Sequence, residues 1–135
     1  MLTNAVDVGT KRAACLLLLA TQFACLNIAG DCGNEITHEA RSPDRRWVAT
    51  SYIQNCGATT GYFTHVVLRD ASQPFRGFRG VGARDQGLVY VEERTPELDL
   101  SWQGPKQLAI HVTGEGGRVF AREPSWHGVS ITYPR

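Results

Sequence analysis

A chain of 135 residues has room for one domain, and the stretch from residue 31 onward is near the usual size of a single core. With Asp7, Lys11 and Arg12 outside it, residues 31–135 carry 12 Lys+Arg against 12 Asp+Glu and are neutral. That balance gives no electrostatic basis for nucleic acid or an anionic membrane as the main partner.

The first thirty residues read as a leader. Met1 to Arg12 is polar and ends in Lys11-Arg12; Ala13 to Phe23 is small and apolar around Leu16-Leu17-Leu18-Leu19; Ala24 to Gly30 ends in small residues. A positive end, a short apolar run and a small-residue exit are the parts of a secretory signal peptide. Thr21, Gln22 and Asn27 interrupt the apolar run, leaving it short of the roughly 18–20 residues of a stable span. The expectation is a signal helix over residues 1–30, with an uncleaved anchor touching the membrane through residues 13–29 as the alternative. Ala24 before Cys25 leaves lipidation there open, whereas Asp31 before Cys32 argues against it.

Cys15 and Cys25 belong to the leader, so Cys32 and Cys56 remain in a compartment that permits oxidation. Two thiols admit a single intramolecular pairing. Closing a loop of about 25 residues would stabilise the fold by about 3 kcal/mol by restricting the unfolded chain. A free nucleophilic Cys56 and a metal-bound Cys56 are the competing readings. Neither has spacing in its favour, because the chain contains no Cys-x-x-Cys and no His-x-x-x-His.

Beyond the leader, period-2 patterns dominate. Arg46 to Gln54 alternates, with Trp47, Ala49, Ser51 and Ile53 on one face and Val48, Thr50, Tyr52 and Gln54 on the other. Tyr62–Arg69, Leu88–Glu92, Leu98–Trp102, Leu108–Val112, Arg118–Ala121 and Val129–Tyr133 are further short strands. Pro and Gly clusters separate them, and no segment past residue 30 carries a helical stripe. The expected fold over residues 31–135 is a single all-β domain, a small antiparallel meander or sandwich. Phe75-Arg76-Gly77-Phe78-Arg79-Gly80, inside the basic stretch Arg69–Arg84, interleaves aromatics with arginines as an RNA-binding segment does; a solvated loop between strands is the expectation.

Ser42-Pro43-Asp44-Arg45 leading into Trp47-Val48-Ala49, and Gln103-Gly104-Pro105-Lys106 leading into Leu108-Ala109-Ile110, resemble the "Ser-Pro-Asp-Gly, then apolar strand" repeat of periplasmic β-propellers. Arg45 stands where that repeat usually has Gly. The length suffices for about two blades where a closed propeller needs at least four, so a propeller-blade-like arrangement is what this likeness implies. With Cys32-Gly33-Asn34-Glu35, Ser42-Pro43-Asp44 and Cys56-Gly57-Ala58-Thr59-Thr60-Gly61 together, the chain resembles a family of small bacterial exported proteins of uncharacterised function. The resemblance is strongest over residues 31–70. It implies export and a Cys32–Cys56 pairing, and supplies no substrate.

An enzyme needs a nucleophile, a base and an orienting group within reach. Cys56 with His65, oriented by Asp44 or Asp70, is the one conceivable set, and His65 and His111 could share a sheet face. Thr59-Thr60-Gly61 could offer hydroxyls and amides to an anion or sugar, but ordinary turn chemistry accounts for them. Gly114-Glu115-Gly116-Gly117 reads as a hairpin tip. Trp47, Trp102 and Trp126 could form a sugar platform, though a small β domain needs at least two of them in its core. No catalytic residue, cofactor or metal ligand is assigned. The expectation is an exported, periplasmic or secreted, non-enzymatic module that binds an envelope protein or glycan. A thiol hydrolase using Cys56 and a histidine, and an inhibitor or immunity-type protein, are the alternatives.

Overall fold

Alternating side chains and frequent turn residues put most of the chain into strands. A computed structural model describes residues 32–77 and 87–134. Its strands are β1 (Gly33–Arg41), β2 (Trp47–Asn55), β3 (Phe63–Asp70), β4 (Leu88–Glu93), β5 (Glu97–Gly104), β6 (Gln107–Thr113), β7 (Val119–Arg122), β8 (Ser125–Trp126) and β9 (Val129–Thr132). No helix occurs among the described residues. The expected leader lies outside them.

The strands form two sheets, ordered β1-β2-β3-β4-β7 and β5-β6-β9-β8. The first is an antiparallel meander over its first four strands. One core serves both sheets. Trp47, Ala49, Val66, Leu68 and Val89 from the first meet Leu100, Leu108, Ile110, Val129 and Ile131 from the second. The alternation in Arg46–Gln54 is thus a core-facing pattern. At the β1 edge the sheets are also joined by a hydrogen bond, the Trp102 indole N–H donating to the Ala40 carbonyl at 3.1 Å.

Two sequence expectations need correction. The domain is not purely antiparallel, because β6 and β9 run parallel. After β6 the chain leaves its sheet, pairs as β7 with β4 in the other, and returns through β8; a parallel neighbour requires such a crossover. The glycines at 114–117 are accordingly an inter-sheet connection and not a hairpin tip. They permit close approach, since a Cβ at Gly116 would overlap the Glu92 carboxylate. The segment β1 was not expected as a strand at all.

The arginine-rich stretch begins on the outer face of the first sheet. On β2, the outer-face residues Val48 and Tyr52 are 0% and 1% exposed, as buried as the core-facing Ala49. Part of their cover is the chain after β3. Phe75 packs edge-on against Tyr52 with centroids 5.3 Å apart, and Gly77 lies so close to Asn34 of β1 that a Cβ would collide with it. Residues 71–77 thus run back across the outer face from the end of β3 to the start of β1. Phe75 and Gly77 cover the sheet there while Ser72, Gln73, Pro74 and Arg76 are exposed, and the remainder of the arginine-rich stretch, residues 78–86, lies outside the described residues.

Candidate functional site

The residues singled out from sequence do not converge. Cys32 and Cys56 flank the last pair of the β1–β2 ladder, Gly33 opposite Asn55, and their sulfurs stand 2.09 Å apart, at disulfide distance. The buried Gln54 side chain donates from Nε2 to the Cys56 sulfur at 2.7 Å. His65 sits opposite Tyr52, four residues back along β2 from Cys56, and stacks on that ring. Burial pushes its imidazole down to about 4. His111 lies on β6 in the other sheet, so the shared face expected for His65 and His111 is not formed.

The two candidate orienting acids serve turns. Asp44 accepts from the Ser42 hydroxyl at 2.6 Å and from the Arg46 amide, and these bonds hold its carboxyl below the usual range. Asp70 accepts from the hydroxyl and amide of Ser72 and is lowered in the same way. Thr60 donates from its amide and its hydroxyl to the Gly57 carbonyl, which makes Cys56–Gly61 a turn. Trp47 is in the core, Trp126 meets it edge-on at 5.3 Å, and Trp102 is partly buried against the same cluster. The tryptophans are therefore packing residues and not an open platform. Among the described residues no group of three or more His, Cys, Asp or Glu could hold a metal ion.

A different set does converge. The strand Leu88-Val89-Tyr90-Val91-Glu92 places Tyr90 and Glu92 two residues apart on its core-facing side, opposite Val66 and Thr64. Across the β4–β7 pairing, Arg122 stands beside Tyr90 and Val119 beside Glu92. Val112 of β6 and the Tyr133-Pro134 tail of β9 face them from the second sheet. Together these residues line a cleft of about 390 Å³ between the sheets, at the β7 edge.

Glu92 is the chemical centre of this cleft. It is 5% exposed, and the Tyr90 hydroxyl donates to one of its oxygens. Burial, with that carboxylate beside it, raises the Tyr90 phenol above its ordinary value. Burial also pushes the Tyr133 phenol up to about 12, so both phenols are neutral donors at physiological pH. Tyr133 spends its proton on the backbone, with the Glu123 carbonyl at 2.8 Å, and turns its ring to the Arg122 guanidinium at 4.5 Å. The result is one buried acid, one cation at the rim, and apolar walls.

Sequence reasoning passed over this cleft. Its one local signal was an acid placed two residues after a tyrosine on an otherwise apolar strand. A second hollow of about 260 Å³ lies by Arg69, Pro74, Arg76 and Trp126. There Arg69 is already engaged, by Glu39 at 2.9 Å and by the Gln73 carbonyl. No family model, no curated protein and no solved structure matches this chain.

Proposed function

We propose that this chain is an exported bacterial envelope protein whose β domain binds a ligand without transforming it, and that the inter-sheet cleft is its binding site. The observation that carries this reading is the buried Glu92 at the head of a cleft with apolar walls, the usual form of a small-molecule site. The sulfur of Cys56, the one nucleophile that sequence offered, is engaged with that of Cys32. His65 is packed into a stack away from that cleft. A Cys32–Cys56 bond fits an oxidising compartment, as do the leader-like first thirty residues and the resemblance to small exported proteins.

Alkylation and mass spectrometry of the protein from fractionated cells test the location. The reading expects the envelope or secreted fraction, with Cys32 and Cys56 blocked until reduction. Protein confined to the cytosol with both thiols free removes it. Native mass spectrometry of the envelope-derived protein tests binding: a retained small molecule, lost in Glu92→Gln, is the expected result.

A further inference from the structure

The polarity of the cleft carries the reading further, to a class of ligand. Glu92 is a buried carboxylate with one described hydrogen-bond donor, the neutral Tyr90 hydroxyl. Among the described residues it has no ion pair; the one such pair is Arg69 with Glu39. A carboxylate has about four lone-pair sites, and burying it without a compensating donor is costly. An alkylammonium supplies three donors and the missing positive charge. One Glu92 oxygen accepts from Tyr90 and the other lies against Gly116, and among the described residues no cation pairs with it, so a cationic group on a ligand is the complement it fits.

Arg122 sets the complementary demand. Its guanidinium lies over the Tyr133 ring, and its one described hydrogen bond, to the Tyr133 carbonyl, is long at 3.5 Å. It has no carboxylate partner among the described residues. Arginine presents a planar fork that matches a carboxylate in a bidentate pair. Arg122 stands beside Tyr90 in the β4–β7 pairing, and Glu92 is two residues further along the same face. They are diagonal neighbours across a β-bulge, so the acid and the cation reach the cleft from two adjacent strands and can meet the two ends of one ligand. Val112, Val119 and Pro134 offer only apolar contact to the remainder of the ligand.

We propose that the cleft binds a free aliphatic α-amino acid, its ammonium on Glu92, its carboxylate on Arg122 and its side chain against Val112, Val119 and Pro134. A lone amine would meet Glu92 but leave Arg122 unanswered, and a lone carboxylate the reverse. The complementary pattern is a zwitterion, and recognition of both ends gives discrimination more than raw affinity. This inference rests on the reading of the chain as a ligand-binding domain.

Calorimetry of the full-length protein with three probes tests it: leucine of either hand, isoamylamine, which lacks the carboxylate, and 4-methylpentanoate, which lacks the amine. Leucine is expected to bind at least tenfold tighter than either fragment. In Glu92→Gln the advantage of leucine over 4-methylpentanoate disappears. In Arg122→Gln, at an exposed position on β7, the advantage over isoamylamine disappears. Equal binding of leucine and isoamylamine to the unaltered protein overturns the proposal, as does no binding of any probe. The binding-domain reading fails separately, if envelope-derived protein carries no retained molecule that Glu92→Gln releases.

Discussion

Tyr52 and His65 stand opposite each other on β2 and β3 and stack nearly parallel, with ring centroids 4.9 Å apart and planes 11° from coplanar. The stack lies on the outer face of the first sheet, and Phe75 closes over Tyr52 from the segment that follows β3. An imidazole in this position is held neutral, because burial disfavours its charged form and brings it from the usual 6.5 to about 4.

Stability therefore depends on pH in a defined window. Between 6.5 and about 4 the unfolded chain takes up a proton at His65 that the folded chain excludes. The contribution of neutral His65 is fully present above 6.5 and is lost as the pH falls toward about 4. Urea unfolding at pH 7, 5.5 and 4.5 should show a decline that Glu and Asp titration alone does not give, and that flattens in His65→Gln. An NMR titration of the His65 ring with a midpoint near 6.5 would contradict this account.

The Ser42 hydroxyl sits at the centre of the β1–β2 turn, beside backbone bonds from the Ser42 amide to Trp47 and from the Arg45 amide to Ser42. The Trp47 amide donates to Ser42 Oγ at 2.9 Å, and Ser42 Oγ donates in turn to Asp44. Ser42 is buried, so Ser42→Ala leaves the Trp47 amide without this partner and should cost about 1–3 kcal/mol. The same change should raise the Asp44 carboxyl toward its ordinary value, since the Ser42 bond is the main cause of its depression. Carbon-detected titration of the Asp44 carboxyl reads the second effect independently of folding stability. An unmoved Asp44 would mean that the Arg46 amide, and not Ser42, holds it.

Arg45 occupies the left-handed region at φ 62°, the position where the propeller-type repeat has glycine. A side chain there costs roughly 1–2 kcal/mol, part of which glycine returns as extra freedom in the unfolded chain. Arg45→Gly is expected to stabilise the domain by about 0.5–1 kcal/mol in chemical denaturation. Its side chain is exposed, and a loss of stability would show that Arg45 makes a contact worth more than the backbone penalty.

Most strands that could be read from sequence have one face in the core, the exposed β7 being the exception. From β2 to β6 each strand sends apolar residues to the shared core, and β3, β4 and β6 carry them as short consecutive runs. In β1, by contrast, most side chains are exposed, and its place in the sheet comes from backbone pairing with β2, which leaves no mark in the residue pattern. The parallel β6–β9 pairing was hidden for a related reason. Local alternation says that a strand exists, but its neighbour depends on where the intervening β7 goes. The cleft illustrates the same gap, since Tyr90 and Glu92 share one legible strand while Arg122 and Tyr133 arrive from segments far along the chain. Cys32, Cys56 and His65 attracted attention because of their chemistry as single residues. Packing gives them structural places instead.

That exposed edge strand makes the Cys32–Cys56 bridge a local matter as well as a global one. The bridge joins cysteines 24 positions apart at the open end of β1–β2, and the loop-entropy argument gives it about 3 kcal/mol. Cys32→Ser and Cys56→Ser should each lower stability by about that amount, and the double variant should lose little more, since either change alone removes the bridge. Locally, the first residues of β1 should open before the rest. Hydrogen exchange after reduction is expected to accelerate at Asn34 to Ile36, while Ala40, on the strand end held by Trp102, keeps its protection. Uniform acceleration across both sheets would instead mean that the bridge acts only through the unfolded chain, with no part in fixing β1 against its neighbour.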